Sequence, residues 1–411
     1  MRCAAAVGLT LTGLLAQGSL CAQEDRHDWL LEISADALSD DSNDKFTINA
    51  EASSVRLALL YSGEITPTLR VDAAIDAVDD GTSGIDVTEA FLHWRPVPQS
   101  RVRHEFRTGV FYPPLSLENG RRGWTSPYST SFSAINTWIG EELRTLGAEW
   151  SVSRGIGLQQ RQAEIGFVTA TYYANDPAGA LLSWRGWAIH DRQSRLGDGL
   201  RLPSLPQLQP GMMFDKQAPA TEPFTETDHA PGYYYGVRLQ LGHRAIVTAL
   251  HYDNHADPNS LKDGHYGWTT RFDHIGVQLE LPAELGLVMQ WMDGTTVMGP
   301  AMSPPAAAGR RVVDNGFDSA FVLLTRLLNR HRVSLRYDQF AVSDYDQIPL
   351  DDNSESGDAI TLAWRFEAEP GWLVGMEWLG FDIDRPAWAY SGRPITDRDA
   401  LTRVEVRYTL R

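Results

Sequence analysis

Along most of the chain, hydrophobic and polar residues alternate with a period of two. In residues 101–112, Val102, His104, Phe106, Thr108, Val110 and Tyr112 share one face, and Arg101, Arg103, Glu105, Arg107, Gly109 and Phe111 share the other. Residues 69–76 and 403–411 repeat the pattern. Side chains alternate across a strand, so each segment has one apolar and one charged face. The pattern predicts strands near 28–36, 46–61, 66–78, 85–95, 101–112, 142–153, 161–173, 231–242, 244–253, 266–281, 284–293, 316–327, 331–342, 358–367, 372–383 and 401–411. The links between them alternate in length. Tight turns fall at 62–65, 96–100, 282–283, 329–330 and 368–371, most with Gly, Pro or Asn. Long links fall at 37–45, 113–140, 175–230, 254–265, 294–315, 343–357 and 384–400, while 79–84 is short where a long one is expected. Short turns at one end and long loops at the other predict an all-β fold, a transmembrane antiparallel β-barrel of 16 strands with both termini on the short-turn side. Residues 181–190 are also strand-like. If they crossed the barrel, the proline-rich stretch after them would fall on the short-turn side, so they are placed inside the fourth long loop; eighteen strands is the alternative count.

No segment has the 18 or so apolar residues that a membrane helix needs, whereas a barrel strand needs only about 9–11 with one apolar face. Aromatic residues such as Trp29, Trp94, Tyr233, Trp291 and Trp372 sit near predicted strand ends, as interfacial girdles require. Residues 1–22 read as a secretory signal, with Arg2, an apolar run and small residues before a cut after Ala22. Residues 23–411 are then the barrel. The two cysteines, Cys3 and Cys21, both lie in the leader, and Leu20 argues against lipidation of Cys21. A thiol-free exported chain fits a Gram-negative envelope route to the outer membrane. The net charge of −17 argues against a nucleic-acid partner. A soluble, secreted or periplasmic β-rich protein that binds carbohydrate would also alternate, and stands as the second reading.

Residues 107–150 go beyond generic barrel patterning. A strand ends in Gly109, Val110 and Phe111; Pro113 and Pro114 follow, then Ser116, Leu117 and Glu118, and later Arg144, Thr145, Leu146 and Gly147. This stretch resembles the phosphate-selective porin O and P family, in which a strand runs into a proline, a Ser-Leu-Glu element and a long third loop. The resemblance implies a sixteen-stranded barrel, a homotrimer, a third loop that folds inward to narrow the pore, and passage of anions along inward-pointing basic residues. The arginines on the polar faces that could take that part are Arg70, Arg101, Arg103, Arg107, Arg238, Arg326, Arg332, Arg336, Arg403 and Arg407, with Arg144 at the loop's end. A guanidinium suits phosphate because its planar fork donates two hydrogen bonds. The chain departs from the family in having lysines only at Lys45, Lys216 and Lys262, all in predicted loops. It also departs in carrying carboxylates such as Asp72 and Glu105 on the same polar faces, and in ending on Arg411 rather than an aromatic residue.

Residues 113–140 are too long for a hairpin link. Ile135, Trp138 and Ile139 can share one face of a short helix there. Glu118, Arg121, Arg122, Glu141, Glu142 and Arg144 are the charges a solute would meet if the loop formed a constriction. The fourth loop, 175–230, carries Trp184 and Trp187, which either pin it to its own barrel or stack a ligand. Acidic clusters at Asp36, Asp40, Asp41 and Asp44 and at Asp344, Asp346, Asp351, Asp352, Glu355 and Asp358 read as solvated loop charge rather than a metal site. The second partly mimics a calcium loop but has Ala363 at its twelfth position. His251 and His255 have helical metal spacing but fall where a strand enters a loop. No nucleophile elbow, zinc-protease or phosphate-loop motif occurs, and no cofactor or enzyme is implied. The reading is a passive outer-membrane diffusion channel for small hydrophilic solutes or ions, anion-preferring by the resemblance. Its partners would be membrane lipid, lipopolysaccharide and the barrel assembly machinery. A barrel plugged by its own loops, acting as an adhesin or anchor, is the remaining alternative.

Overall fold

Sixteen antiparallel strands close into one barrel in the computed structural model, which describes residues 27–38, 53–79, 84–158, 161–302, 310–346 and 348–411. In chain order they are β1 His27–Leu38, β2 Ser53–Thr66, β3 Leu69–Val78, β4 Ile85–Trp94, β5 Val102–Phe111, β6 Thr145–Leu158, β7 Arg161–Tyr173 and β8 Gly232–Leu241. The second half comprises β9 Ala245–Asp253, β10 Thr269–Leu281, β11 Leu285–Ala301, β12 Arg311–Leu328, β13 His331–Asp344, β14 Glu355–Glu369, β15 Trp372–Asp384 and β16 Thr396–Leu410. Each strand pairs with its neighbour in sequence, and β1 closes the ring against β16, from Leu31 opposite Leu410 to Leu38 opposite Arg403. The count is the expected sixteen, not eighteen. The predicted leader and the acidic residues Asp40, Asp41 and Asp44 lie outside the described residues. No described helix is long and apolar enough to cross a membrane.

The short-turn rim is built from tight hairpins. Leu328 and His331 pair across Asn329 and Arg330, with Asn329 in the left-handed region at φ 57°. The other rim carries the long links. Residues 112–144 contain α1, Ala134–Glu142. Residues 174–231 contain α2, Ala180–Arg185, where an extra strand looked possible from sequence. β11 and β12 reach several residues further towards the long-loop rim than their hydrophobic runs predicted.

The outside of the barrel is apolar. Val322, Leu324, Leu335, Ile360, Leu362, Val404 and Val406 all point outward and are roughly half exposed. A ring of aromatic pairs marks the short-turn edge of this band: Trp29 with Tyr61, Trp94 with Phe106, Trp364 with Phe366, and Trp372 with Tyr408. So large an apolar belt is a surface for hydrocarbon rather than for water. Val322 lies inside the belt, opposite Met289 and Tyr337. Val322→Arg will cost about 2–4 kcal/mol in lipid vesicles, the depth-dependent cost of a lipid-facing cation. A soluble barrel would lose within about 0.5 kcal/mol at such a surface site. Urea unfolding of vesicle-inserted protein measures the difference.

The core lies inside the barrel, towards the long-loop rim. Inward-facing Tyr172, Tyr234, Tyr252, Phe272, Phe317, Phe321, Phe340 and Phe381 pack against Trp124, Phe132, Ile135, Trp138 and Ile139 of the third loop and Trp187 and Ile189 of the fourth.

Candidate functional site

The third loop leaves β5 at Phe111 and turns into the lumen. Gly109 and Gly147 face each other across β5 and β6. A Cβ on Gly109 would lie 2.3 Å from the Ala90 carbonyl oxygen, and one on Gly147 would lie 2.2 Å from that of Thr171. Only glycine permits the wall to close this tightly where the loop begins and ends. Ser133 caps α1 by accepting from the Asn136 N–H at 3.3 Å. The whole helix is buried. Trp138 meets Trp187, Phe272 and Phe317 edge-on, at centroid distances of 5.9, 5.6 and 5.1 Å.

Charged residues of the wall fasten this loop. Arg336 donates to Glu118 at 2.8 Å, to Asp338 at 2.7 Å, and to the carbonyls of Ser131 and Phe132, both at 2.9 Å. Glu118 also accepts from the Ser133 N–H and the Asn136 amide, and Asp338 from the Ala134 N–H. Glu377 accepts from the Thr130 and Ser131 N–H groups. Glu405 accepts from the Thr130 hydroxyl and Arg365, which in turn donates to the Ser126 carbonyl.

Of the six charges expected at a constriction, four do not face water. Glu118, Glu141, Glu142 and Arg144 are each 2 % exposed or less, because the loop packs onto the wall with its polar groups turned inward. Arg144 lies over the Tyr112 ring at 4.1 Å and donates to the Ser194 and Gly140 carbonyls. Arg121 and Arg122 remain part-exposed and reach the short-turn rim, near Glu367 at 3.8 Å and Asp28 at 2.6 Å.

The fourth loop also enters the barrel. Trp184 and Trp187 are fully buried, and the Trp187 indole donates to the Ala341 carbonyl at 2.9 Å. Arg385 donates to the carbonyls of Ser183 and Trp184, both at 2.9 Å, and Arg403 pairs with Asp191 at 2.9 Å. The tryptophans pin the loop rather than present a stacking face.

The twelve residues expected to line the pore divide into groups. Arg336, Arg403 and Arg407 are buried in ion pairs: Arg403 with Asp36 at 2.7 Å, and Arg407 with Glu32 at 3.2 Å and Glu405. Arg70 pairs with Asp72 at 2.8 Å. Arg332 lies over the Tyr128 ring at 5.5 Å. Arg326 is a correction. On β12, Phe317, Ser319, Phe321, Leu323 and Thr325 are the buried inward residues, so Arg326 and Asp318 face outward. Both faces of this strand are apolar, because its lumen face meets the loops rather than water.

The remaining five, Arg101, Arg103, Glu105, Arg107 and Arg238, come together. They line two adjoining cavities of about 530 and 830 Å³ on the short-turn half of the lumen, roofed by Pro114 of the third loop. Arg95, His93 and His243, missed from sequence, also line them, as do Glu149 and Glu164. Five arginines thus meet three glutamates. Arg107 grips Glu149 with two 2.7 Å bonds, and Tyr234 donates to the same carboxylate at 2.5 Å. Arg103 pairs with Glu164, and Glu105 accepts contacts from His93 and Arg95. Among the described residues Arg101 and Arg238 have no carboxylate within salt-bridge distance. The lining of the vestibule therefore carries a surplus of positive charge.

The acidic loop after β13 shapes its own backbone. Asp344 accepts from the N–H groups of Asp346 and Asn353, and Asp346 from those of Ile348 and Asp314. Burial pushes the Asp346 and Asp351 carboxyls up to about 7. Asp176, Glu226 and Asp228, invisible as a group in sequence, bring their oxygens within 4.8 Å of one another. Burial pushes Asp176 up to about 6, and its oxygen accepts from the Thr227 hydroxyl at 2.8 Å. His251 points outward to Asp273 at 2.8 Å, and the helical spacing to His255 has no helix to act on.

No family model matches the sequence, and no curated protein matches it, so the likeness of residues 107–150 to the phosphate-selective porins stands as a resemblance. Solved structures do match in fold. The outer membrane channel DcaP of Acinetobacter baumannii is similar with a TM-score of 0.52 at 11% identity, over 93% of this chain and 97% of that one. OprB of Pseudomonas putida is similar with a TM-score of 0.51 at 10% identity, over 93% and 94%. A loop-deletion form of OmpT, an outer membrane protein of Vibrio cholerae, gives 0.50 at 8% identity, over 93% and 99%. The chain thus has the closed sixteen-strand barrel fold of these bacterial outer-membrane proteins.

Proposed function

We propose that this protein is an outer-membrane channel of porin type that passes small anions passively. The observation that carries the reading is the arginine-rich vestibule beneath the third loop, where two guanidiniums are left without a carboxylate partner among the described residues. The apolar belt supports placement in a bilayer. Phosphate is the finer candidate, on the resemblance and on the fit of a guanidinium fork to its oxygens. The resemblance also carries the homotrimer, and the barrel architecture carries insertion by the assembly machinery and contact with lipopolysaccharide. The leader over residues 1–22 belongs to the same reading.

A second reading is a sealed barrel, an anchor or adhesin. It is favoured by the third and fourth loops, which pack together inside the lumen. Planar-bilayer conductance under a KCl gradient separates the two. Wild type should show stepwise current with an anion-selective reversal potential, reduced by added phosphate. Replacing both Arg101 and Arg238 with glutamate changes the vestibule by four charges and should carry the reversal potential through zero towards cations. An unchanged reversal potential would remove the vestibule from the selectivity argument. Absence of current from folded, inserted protein would leave the sealed barrel.

A further inference from the structure

We propose that Glu164 is a specificity-determining residue of the vestibule: its carboxylate occupies an oxyanion site where the two cavities join, and a solute oxyanion passes that point by replacing it on Arg103. The inference rests on the channel reading above and deepens it.

Three residues line both cavities, Arg103 of β5, Glu164 of β7 and Gln240 of β8, so they mark where one cavity meets the other. The larger cavity lies at the short-turn rim, against Gly242 and His243 of the turn between β8 and β9, and is lined by Arg101. The smaller lies deeper, under Pro114, and is lined by Arg238. The two guanidiniums that have no carboxylate within salt-bridge distance among the described residues thus belong to different cavities, and the Arg103–Glu164 pair stands at the junction between them. An anion moving from one to the other meets that pair.

The backbone leaves room beside it. Arg103 reaches across β6 to Glu164: its own register partner there is Ser153, whereas Glu164 lies opposite Gly155. Open space surrounds the position that a Cβ on Gly155 would take. Gly166, two residues along β7, places no side chain between its register partners Ser153 and Arg238. On the other flank Glu164 lies opposite Gln240, whose amide oxygen accepts from Arg238 at 3.4 Å.

Exchange suits this pair and not its neighbour. Arg107 and Glu149 are 19 and 7 % exposed, are joined by two bonds, and share Glu149 with the Tyr234 hydroxyl. Arg103 and Glu164 are 52 and 37 % exposed, and Arg103 donates through one nitrogen. Water and ions compete with a pair so exposed. An oxyanion offers the guanidinium the same kind of oxygens as the carboxylate it displaces. Glu164 is therefore a resident competitor for the solute.

The test is titration of phosphate against KCl conductance in planar bilayers, with retained heat-modifiable gel mobility showing that each variant is folded. Glu164→Gln should lower the phosphate concentration that halves the current by about fivefold, the effect of one charge about 4 Å away in water. Arg103→Gln removes the guanidinium that is contested, and should weaken the block. Adding Glu164→Gln to Arg103→Gln should then tighten it by less than twofold, because no contested guanidinium remains to be freed. The same fivefold change in both backgrounds would reduce Glu164 to a distant charge and overturn the proposal. A conducting wild type with the same block as Glu164→Gln, or with no block in either, would also overturn it and leave the channel. Absence of current from folded, inserted wild type would overturn the channel reading, and this one with it.

Discussion

Replacing Arg336 with alanine will destabilise the folded barrel by about 3–5 kcal/mol, the cost of breaking a buried ion pair from one side. The guanidinium is 1 % exposed and holds Glu118 of the third loop and Asp338 of β13 together with two loop carbonyls. Alanine leaves two carboxylates facing each other in the dry interior, with only one neutral donor set each. Arg336→Lys keeps the charge but not the fork, and should recover only part of the loss. Adding Glu118→Gln and Asp338→Asn to the alanine variant removes the stranded charges and should also recover part of it. The midpoint of urea unfolding in detergent micelles reads all three. A loss below about 1 kcal/mol for Arg336→Ala would mean that water already reaches this cluster and that the third loop is not docked as described.

Trp138→Ala should cost a similar amount, about 3–5 kcal/mol, for a different reason. The indole is the hub of the aromatic cluster, touching Trp187 of the fourth loop and Phe272 and Phe317 of the wall, and its N–H donates to Glu142. Alanine leaves a cavity that α1, held at both ends by charged bonds, cannot close by moving. Trp138→Phe keeps the edge-on contacts and should cost less. Because the indole joins both loops to the wall, the alanine variant should also lose near-ultraviolet circular dichroism while the far-ultraviolet β signal stays. Equal loss of both signals would mean that the barrel itself depends on its contents.

Much of the architecture was legible in residue order. The alternation in residues 101–112 placed Arg103, Glu105 and Arg107 on the lumen side, where they are found lining the vestibule. The alternation in residues 403–411 put Arg403 and Arg407 inward and Val404 and Val406 outward, as observed. The spacing of Ile135, Trp138 and Ile139 marked α1. Strand β12 failed for a physical reason. Phe317, Phe321 and Leu323 meet the core formed with the third and fourth loops while Ala320, Val322 and Leu324 meet the outer belt, so the strand is apolar on both sides. With no polar face to set the phase, Arg326 was assigned to the wrong side.

The candidate site was legible only in part. An arginine on an inward face is free or neutralised according to what stands opposite. For Arg336 that is Glu118, 218 residues earlier; for Arg403 it is Asp36, 367 residues earlier. Leu181, Trp184, Trp187 and Ile189 read equally well as a loop packing on itself outside the barrel and as a loop inserted into it. The Glu141–Arg185 pair that binds the two loops carries no local signal.

By itself, the sequence determined the strand period, the alternation of short and long links, and the place of most of the sixteen strands. Each of these is set by neighbours within a few residues: pleating turns successive side chains to opposite faces, and Gly, Pro and Asn place the turns. Only the tertiary structure decided what fills the lumen, which arginines keep an unshared charge, and how the fourth loop meets the third. Those depend on which distant side chains closure of the barrel brings within about 3 Å, where a partner either neutralises a charge or leaves it to the solute.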